Sequence, residues 1–386
     1  MQRRTLFKAT LAAALTLPSI SRGQTPPPRH TQWRVRGSEG FDAIAFLGPL
    51  AGGELYMSFY AEDARIFSER LPAEIRADIA ALTENASTSG VGLLAPNLSV
   101  LFSVNEADVT LTSVIEALDA RAERLLPAYR ASQYWSENDW GWFDTNAPRL
   151  AAIFTAMRAA DFTGFRNERI GELDARIGEV QRGLAPFNVI RLQEKLTGRT
   201  FDPIIDIVLL QFSKPHGIKV QGQTFLQSHE YDTATTVRIA AHEMLHPPIP
   251  MDGAAAQAAL AVLRRDDLIT RIVRDHNPQW GYTTLEGMLN EDICQALDQL
   301  ISEALGVARN PADRWRLSDD GMHVIAAGIY GMLRDDRWIE TGGNFETWLA
   351  DAVQRRRFAP RNLHAVAARV LERPRDALWP LTAPQP

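Results

Sequence analysis

The chain has a single cysteine in 386 residues, Cys294, so no disulfide can form within it. Acidic residues outnumber lysine and arginine, 47 to 41, for a formal net charge of -6. This balance disfavours nucleic acid as a partner, because phosphate backbones are bound by surplus positive charge. The sequence also has no internal repeat, no phosphate-binding glycine loop, no CxxC pair and no GxSxG motif. Stability must therefore come from hydrophobic burial, for which a hydrophobic content of 45% is ample.

The apolar run near the start of the chain is too short to span a bilayer stably. Residues 1–24 have a basic start, a short apolar middle and a polar exit, which predicts a cleaved export signal. Residues 3–8, RRTLFK, resemble a twin-arginine signal, which implies a bacterial protein exported already folded; a general secretory signal is the alternative. No cysteine lies near the exit, which excludes a lipid anchor. Cleavage would remove four basic residues and no acid, so the formal charge would move from -6 to -10. We expect a periplasmic or secreted protein without stable membrane insertion.

The remaining sequence predicts an α+β fold that is mainly helical. Two segments rich in aliphatic residues, Asp206–Phe212 and Lys219–Leu226, are separated by a turn and predict a β-hairpin or a small sheet. The predicted regions are a Pro-rich leader at 25–40 that need not be ordered, a mainly helical region at 41–200, a metal-site region at 201–375 and a loose tail at 376–386.

The residue types of a hydrolytic metal site occur together in residues 235–248, TTVRIAAHEMLHPP. His242 and His246 are four apart, so on a helix they share one face and can offer imidazole nitrogens to one tetrahedral zinc ion. Glu243 is turned about 100° from His242. It can therefore accept a proton from a water acidified by zinc without binding the metal itself. The apolar residues before His242 predict a buried helix, capped by an Asp or Thr at 232–235. A core helix with two hydrogen-bonded histidines is the alternative.

This segment resembles the active-site helix of the zincin metallopeptidases, in which both histidines bind zinc and the glutamate is the general base. The residues after His246 lack the HExxHxxGxxH extension of metzincins. A glutamate on a later helix, as in gluzincins such as thermolysin, is therefore the expected third ligand. The resemblance implies zinc as the cofactor, a peptide or protein as the substrate, and an edge strand that binds substrate backbone. Val220–Leu226 is the candidate edge strand.

Two glutamates of the long helix predicted at 280–305 compete for the third ligand position. The gluzincin habit of an Asn-Glu pair selects Asn290-Glu291. Helical geometry favours Glu286 instead. With Leu285 set at zero and about 100° per residue, the apolar set is centred at about 40°. Glu286 then lies at about 100°, at the edge of the apolar face, whereas Glu291 lies at about 240°, close to the opposite side. The apolar set is Leu285, Leu289, Ile293, Ala296 and Leu300. We therefore predict Glu286 as the ligand, with Asn290 as its hydrogen-bond partner and Glu291 on the solvated face. Asp292 is also on the inner edge, but it is shorter and further along the helix.

The resemblance also implies a donor that stabilises the oxyanion of the tetrahedral intermediate. The helix predicted at 319–333 carries His323 and Tyr330 seven residues apart, and thus on one face. The candidates are His323, Tyr330 and Tyr282, in that order. A purely structural role is the alternative for each of them.

The function expected from these residues is zinc-dependent hydrolysis of a peptide bond outside the cytoplasm. His242, His246 and Glu286 would hold zinc, and Glu243 would activate water. The alternative is an exported zincin-fold protein that binds a partner through a structural or inactive metal site. An intact Glu243 argues against that alternative, because a structural site needs no free carboxylate at this position.

Overall fold

The computed structural model describes residues 30–85, 91–93, 95–104, 106 and 108–380. The predicted export signal at 1–24 and the last residues of the predicted tail, 381–386, lie outside the described residues. None of the described helices combines the length and the apolar character needed to cross a membrane.

The described residues form a mainly helical α+β structure, which confirms the predicted fold class. Short 3-10 helices lie at Pro96–Ser103, Pro278–Trp280, Asp319–Gly321 and Arg375–Ala377. The strands are β1 (Gln32–Gly37), β2 (Ile204–Leu210), β3 (Gly217–Lys219) and β4 (Thr224–Ser228). The α-helices are α1 (Glu39–Leu50), α2 (Glu54–Arg70), α3 (Ala73–Asn85), α4 (Leu111–Asp119), α5 (Arg121–Arg124), α6 (Leu126–Ala131), α7 (Glu137–Ala159), α8 (Phe162–Ile170), α9 (Leu173–Leu184), α10 (Val189–Thr197), α11 (Thr233–Glu243), α12 (Ala254–Leu263), α13 (Asp267–Asp275), α14 (Leu285–Ala304), α15 (Pro311–Leu317), α16 (Val324–Asp335), α17 (Trp338–Thr341), α18 (Phe345–Gln354) and α19 (Pro360–Leu371).

The four strands form one mixed sheet in the order β1-β2-β4-β3. β1 and β4 both pair with β2 in parallel, and β3 pairs with β4 antiparallel. The antiparallel hairpin is therefore β3–β4. The two segments predicted as strands do overlap neighbouring strands, β2 and β4, but these pair in parallel, as parts of a small sheet and not as a hairpin. A strand buried on both faces reads as a continuous apolar run, and β2, with the sequence IIDIVLL, is such a strand.

Successive side chains of β2 belong to two different hydrophobic cores. Ile207 and Leu209 pack into the C-terminal core, which we define as the buried cluster around α11, α14 and α16. Val208 and Leu210 point to the opposite face and join the N-terminal core, the buried cluster formed mainly by α1, α2, α4 and α7. Alternation with a period of two places these residues on opposite faces. The sheet is thus the layer shared by the two cores.

Both ends of the described chain are more ordered than the sequence suggested. β1 lies inside the segment predicted as a leader, and the buried Trp33 of this strand donates its ring N–H to the carbonyl of Phe187 at 3.0 Å. At the other end, Leu378 and Trp379 are buried, although they belong to the predicted tail. The Trp379 carbonyl accepts a hydrogen bond from Arg271 at 2.8 Å. The free energy gained by burying large apolar side chains outweighs the tendency of the neighbouring proline-rich sequence to remain unordered.

Candidate metal centre

α11 carries the first histidine and forms for the reasons read from the sequence. The Asp232 side chain caps the helix by accepting the Thr235 backbone N–H at 2.7 Å. Val237 and the two alanines before His242 are buried in the C-terminal core. The regular helix ends at Glu243, and the His246 N–H donates to the Glu243 carbonyl at 3.3 Å. His246 therefore lies just beyond the helix, in a tighter turn, rather than within its last turn.

The two histidines nevertheless converge on one point, together with Glu291. The Nε2 atoms of His242 and His246 are 3.0 Å apart. Each lies 3.4 Å from one carboxylate oxygen of Glu291, whose side chain is almost fully buried. A tetrahedral zinc ion with bonds of about 2.1 Å separates its ligand atoms by about 3.4 Å. Ligand atoms of all three residues lie within 4.8 Å of one another, so the three side chains could hold one metal ion.

The structure places Glu286 elsewhere, and the prediction that it faces the histidines is wrong. Glu286 lies in the first turn of α14 and is exposed. Glu291, predicted on a solvated face, is 5% exposed and faces the histidines. The physical reason is that α14 has no solvated face over most of its length, because α10, α11, α12, α13, α16 and α17 all contact it. The centre of its apolar set therefore does not mark the side on which α11 lies.

His242 is held in place by an acid and an arginine behind it. Its Nδ1 lies 2.7 Å from Oδ2 of the buried Asp298, and Asp298 accepts two hydrogen bonds from Arg314. Loss of hydration lowers the pKa of His242, but the charges of Glu291 and Asp298 raise it by more, so the pKa lies well above its usual range. Burial alone would raise the pKa of Asp298, but the charge of Arg314 lowers it by more, so the pKa lies below its usual range. An acid that fixes the tautomer and orientation of a metal-binding histidine is a common supporting feature of metal sites.

His246 has different support, from residues that the sequence analysis did not select. Its Nδ1 lies 3.4 Å from Sγ of Cys294, the only cysteine. Burial and the charge of Glu291 raise the pKa of Cys294 well above its usual range, so the thiol stays neutral. The carbonyl of His246 accepts a hydrogen bond from Nζ of Lys219 at 2.7 Å. Polar or sulfur-bearing residues at 291, 294, 295 and 298 of α14 recur three or four positions apart, which is the signal that could have revealed this face.

Glu243 is oriented by the end of the sheet. The backbone N–H of Lys219 donates to Oε2 of Glu243 at 2.9 Å. Gly217, at the start of β3, lets the strand approach α11 closely, because a side-chain carbon there would lie 2.5 Å from Ile239. β3, and not the predicted Val220–Leu226, is the edge strand next to the candidate site. With one oxygen held, the other oxygen of Glu243, which accepts no hydrogen bond from any described residue, can accept a proton.

The donor set fits a divalent metal ion such as zinc. If Nδ1 of His242 donates to Asp298 and Nδ1 of His246 donates to Cys294, both Nε2 atoms carry lone pairs. Two lone pairs 3.0 Å apart, with a carboxylate beside them, repel one another unless a cation or added protons lie between them. Two imidazole nitrogens and one carboxylate are a ligand set that zinc accepts, although other divalent ions also bind such groups.

The three candidate oxyanion donors differ in their surroundings. His323 is fully buried, with Nδ1 2.6 Å from Asp292 and Nε2 2.9 Å from Asp319. Burial lowers the pKa of His323, but Asp292 raises it by more, to about 10. The Tyr330 hydroxyl donates to Glu303 at 2.5 Å. None of the three candidates lines the cavity that opens beside the candidate metal ligands.

Tyr282, the third candidate, lies within hydrogen-bonding reach of the Glu291 carboxylate. Burial and then the charge of Glu291 raise the pKa of Tyr282 well above its usual range. Its ring meets that of His323 edge to face, with 6.1 Å between the centroids. Its phenol therefore stays protonated near the metal ligands, which is what a hydrogen-bond donor requires.

A cavity of about 270 Å³ opens beside the three ligands. His242, Glu243 and Glu291 form part of its wall. The remaining lining residues are Thr235, Arg238, Ile239, Gln295, Asp298, Arg309, Arg314, Ser318 and Asp319. The Glu243 carboxylate and two of the three potential metal ligands thus share one small cavity, an arrangement that can bring water and a carbonyl group together.

Comparison with family models, with curated proteins and with solved structures gave no match to this chain.

Proposed function

We propose that this protein is a zinc-dependent hydrolase that cleaves peptide bonds with water. The observation that carries the proposal is the convergence of His242, His246 and Glu291 beside the free carboxylate oxygen of Glu243. A purely structural metal site has its ligands closed around the ion, whereas three protein ligands leave a position open in a tetrahedral site. The cavity on this side leaves room for a substrate.

Each residue of the site has a distinct part in the proposed reaction. Zinc held by His242, His246 and Glu291 would make a water acidic enough to attack at neutral pH and would polarise the substrate carbonyl. Glu243 accepts the proton of that water as its oxygen forms a bond to the carbonyl carbon, and then delivers the proton to the leaving nitrogen as the C–N bond breaks. The Tyr282 phenol, which stays protonated close to Glu291, would donate to the negative oxygen that develops.

The choice of a peptide bond rests on the resemblance of residues 242–246 to the zincin helix. A small mixed sheet with an edge strand next to the general base also supports it, because such an edge can pair with an extended peptide. We further propose that the protein works outside the cytoplasm, on the basis of the signal pattern in residues 1–24.

The substitution Glu243→Gln tests the proposal. Glutamine keeps the shape of the side chain and can still accept the Lys219 N–H, but it cannot accept a proton. We expect zinc content and thermal stability to be unchanged while turnover of a mixed peptide library falls by about a hundredfold or more. Zinc content is measured by atomic emission on protein purified without its signal segment.

Matched measurements separate the proposal from its alternatives. Glu286→Gln, on the exposed first turn of α14, is the control and should leave both zinc and turnover unchanged. Protein that holds one zinc but turns over no peptide favours a binding protein with an inactive site. Absence of zinc affinity would mean that the two histidines only fill a polar core.

A further inference from the structure

One wall of the cavity carries positive charge that the proposed reaction does not use. Arg238, Arg309 and Arg314 all line the cavity beside the candidate metal ligands. Arg314 is committed to Asp298, as described above. Arg238 donates to the Val307 carbonyl at 2.9 Å and to the Thr235 hydroxyl at 2.7 Å. Within the described part of the chain, neither Arg238 nor Arg309 forms an ion pair.

The acidic residues of the same cavity already have partners. Glu291 lies between the two histidines, and Asp298 is paired with Arg314. Asp319 lies 2.9 Å from Nε2 of His323. Glu243 accepts the Lys219 N–H. Arg238 and Arg309 are therefore the arginines of the cavity that have no oppositely charged partner among the described residues.

The backbone that carries Arg309 is fixed from two directions. The side chain of Gln299, on α14, donates to the Arg309 carbonyl at 2.9 Å. Two residues earlier, the Val307 carbonyl accepts the hydrogen bond from Arg238, on α11. The link between α14 and α15 is thus attached to both helices that carry candidate metal ligands. This attachment holds Arg309 at the cavity while its guanidinium group makes no hydrogen bond to any described residue.

We infer that Arg309, assisted by Arg238, binds a carboxylate group of the substrate and so directs hydrolysis to a bond close to that carboxylate. A guanidinium group matches a carboxylate with two parallel hydrogen bonds. Arg309 is exposed, but partial loss of hydration, with repulsion from Arg314 and Arg238, lowers its pKa. A bound anion would relieve that repulsion.

The size of the cavity indicates how near the carboxylate lies to the bond that is cleaved. About 270 Å³ is below the range of roughly 300–1,000 Å³ that is usual for sites holding drug-sized molecules. A carboxylate bound in so small a cavity therefore lies close to the candidate metal ligands. The carboxylate comes either from the C-terminus of a peptide or from an acidic side chain near the cleaved bond. This inference rests on the proposed function for its consequence, but carboxylate binding can be measured without turnover.

The experiment is a binding titration on zinc-loaded Glu243→Gln protein, which does not consume the ligand. Three N-acetylated alanine tripeptides serve as probes: one with a free C-terminal carboxylate, one with a C-terminal amide, and one amide whose last residue is glutamate. We expect at least one carboxylate probe to bind about tenfold to a hundredfold more tightly than the plain amide, as for a hydrogen bond between charged groups. The probe that shows the gain identifies the source of the carboxylate.

Substitutions of Arg309 assign the preference to this residue. Arg309→Gln should abolish the preference, whereas Arg309→Lys should keep part of it, because the charge remains and the paired geometry is lost. Arg264→Gln is the matched control, since Arg264 is exposed at the end of α12 and does not line the cavity. It should bind all three probes like the parent protein.

The results also separate this inference from the proposed function. Equal affinity for all three probes, or a preference that survives in Arg309→Gln, overturns the inference even if the parent protein cleaves peptides. A preference that depends on Arg309 upholds the inference even if the parent protein cleaves no peptide. In that case the proposal of hydrolysis fails and carboxylate binding stands.

Discussion

Replacing Glu291 with glutamine removes one negative charge from the candidate metal centre and leaves its shape intact. The Glu291 side chain is almost completely shielded from water, and its two oxygens lie 3.4 Å from Nε2 of His242 and of His246. A glutamine offers one carbonyl oxygen to the same place but no charge. We therefore expect Glu291→Gln to weaken zinc binding strongly without collapse of the surrounding core.

The size of the effect can be worked from the geometry. At an effective dielectric constant of about 20, unit charges about 3.4 Å apart interact by about 5 kcal/mol. Removing one member of a buried charged pair costs about 3–5 kcal/mol in practice. Each 1.4 kcal/mol corresponds to about a tenfold change in affinity, so we expect zinc binding to weaken by roughly a hundredfold to a few thousandfold.

The assay is a competition titration in which the protein takes zinc from a coloured chelator of known affinity. Glu286→Gln changes the same residue type five positions earlier on α14, at an exposed position, and should match the parent protein. The assignment is refuted if Glu291→Gln keeps parental affinity, or if Glu286→Gln is the variant that loses zinc. The second result would mean that α14 is rotated relative to α11 in the working protein.

Two further predictions concern residues around the site. Asp298→Asn removes the acid that orients His242 and should weaken zinc binding by about tenfold to a hundredfold. The control variant Asp313→Asn should bind zinc like the parent protein in the same competition assay. Equal zinc affinities of the two variants would contradict the role of Asp298. Burial lowers the pKa of His216, whose Nε2 lies 3.2 Å from the Tyr56 hydroxyl, to about 4. Because the unfolded chain takes up this proton near pH 6.5, stability is present above that pH and is lost as the pH falls towards 4. Between pH 7 and pH 5 this loss is about 2 kcal/mol, and urea unfolding of His216→Gln should lack it; an unchanged pH dependence would show that His216 is not responsible.

The sequence was sufficient to predict the two histidines as neighbours, a carboxylate beside them and the class of fold. A local motif with four-residue spacing depends only on helix geometry, and α11 with its Asp232 cap has that geometry. The long helix α14 was also predicted, and the Thr284 side chain caps its start by accepting the Gly287 N–H. These features are set by residues a few positions apart.

The third ligand could not be obtained in this way, because it depends on what surrounds α14. The prediction of Glu286 assumed one apolar face towards the core and a polar face towards water. From Glu291 to Ser302 every residue of α14 is buried, so its acids mark an internal polar surface and not a solvated one. The Asn-Glu pair of the gluzincin resemblance selected the residue that does lie with the histidines, since a family pattern carries tertiary information that helical periodicity lacks.

The strand β1 was not predicted, for a related reason. Its partner in the sheet is distant in the sequence, and its neighbourhood is rich in proline and polar residues. Thr31 and Trp33 are fixed by contacts with Asn188 and Phe187, more than 150 positions away. A pattern of neighbouring residues in the sequence cannot predict contacts between residues so far apart.

The pairing of β1 with β2 also bears on how the chain can fold. Gln32 is the register partner of Ile204, so the first strand closes a loop of 172 residues. If that loop were flexible, its closure would cost about 5 kcal/mol of chain entropy. The loop contains α1 to α8, which build the N-terminal core largely among themselves. Condensation of these helices through contacts of shorter range brings the two strands together at a lower entropic cost. We therefore expect the sheet that orients Glu243 to form after this helical region, whose described residues supply none of the three candidate metal ligands.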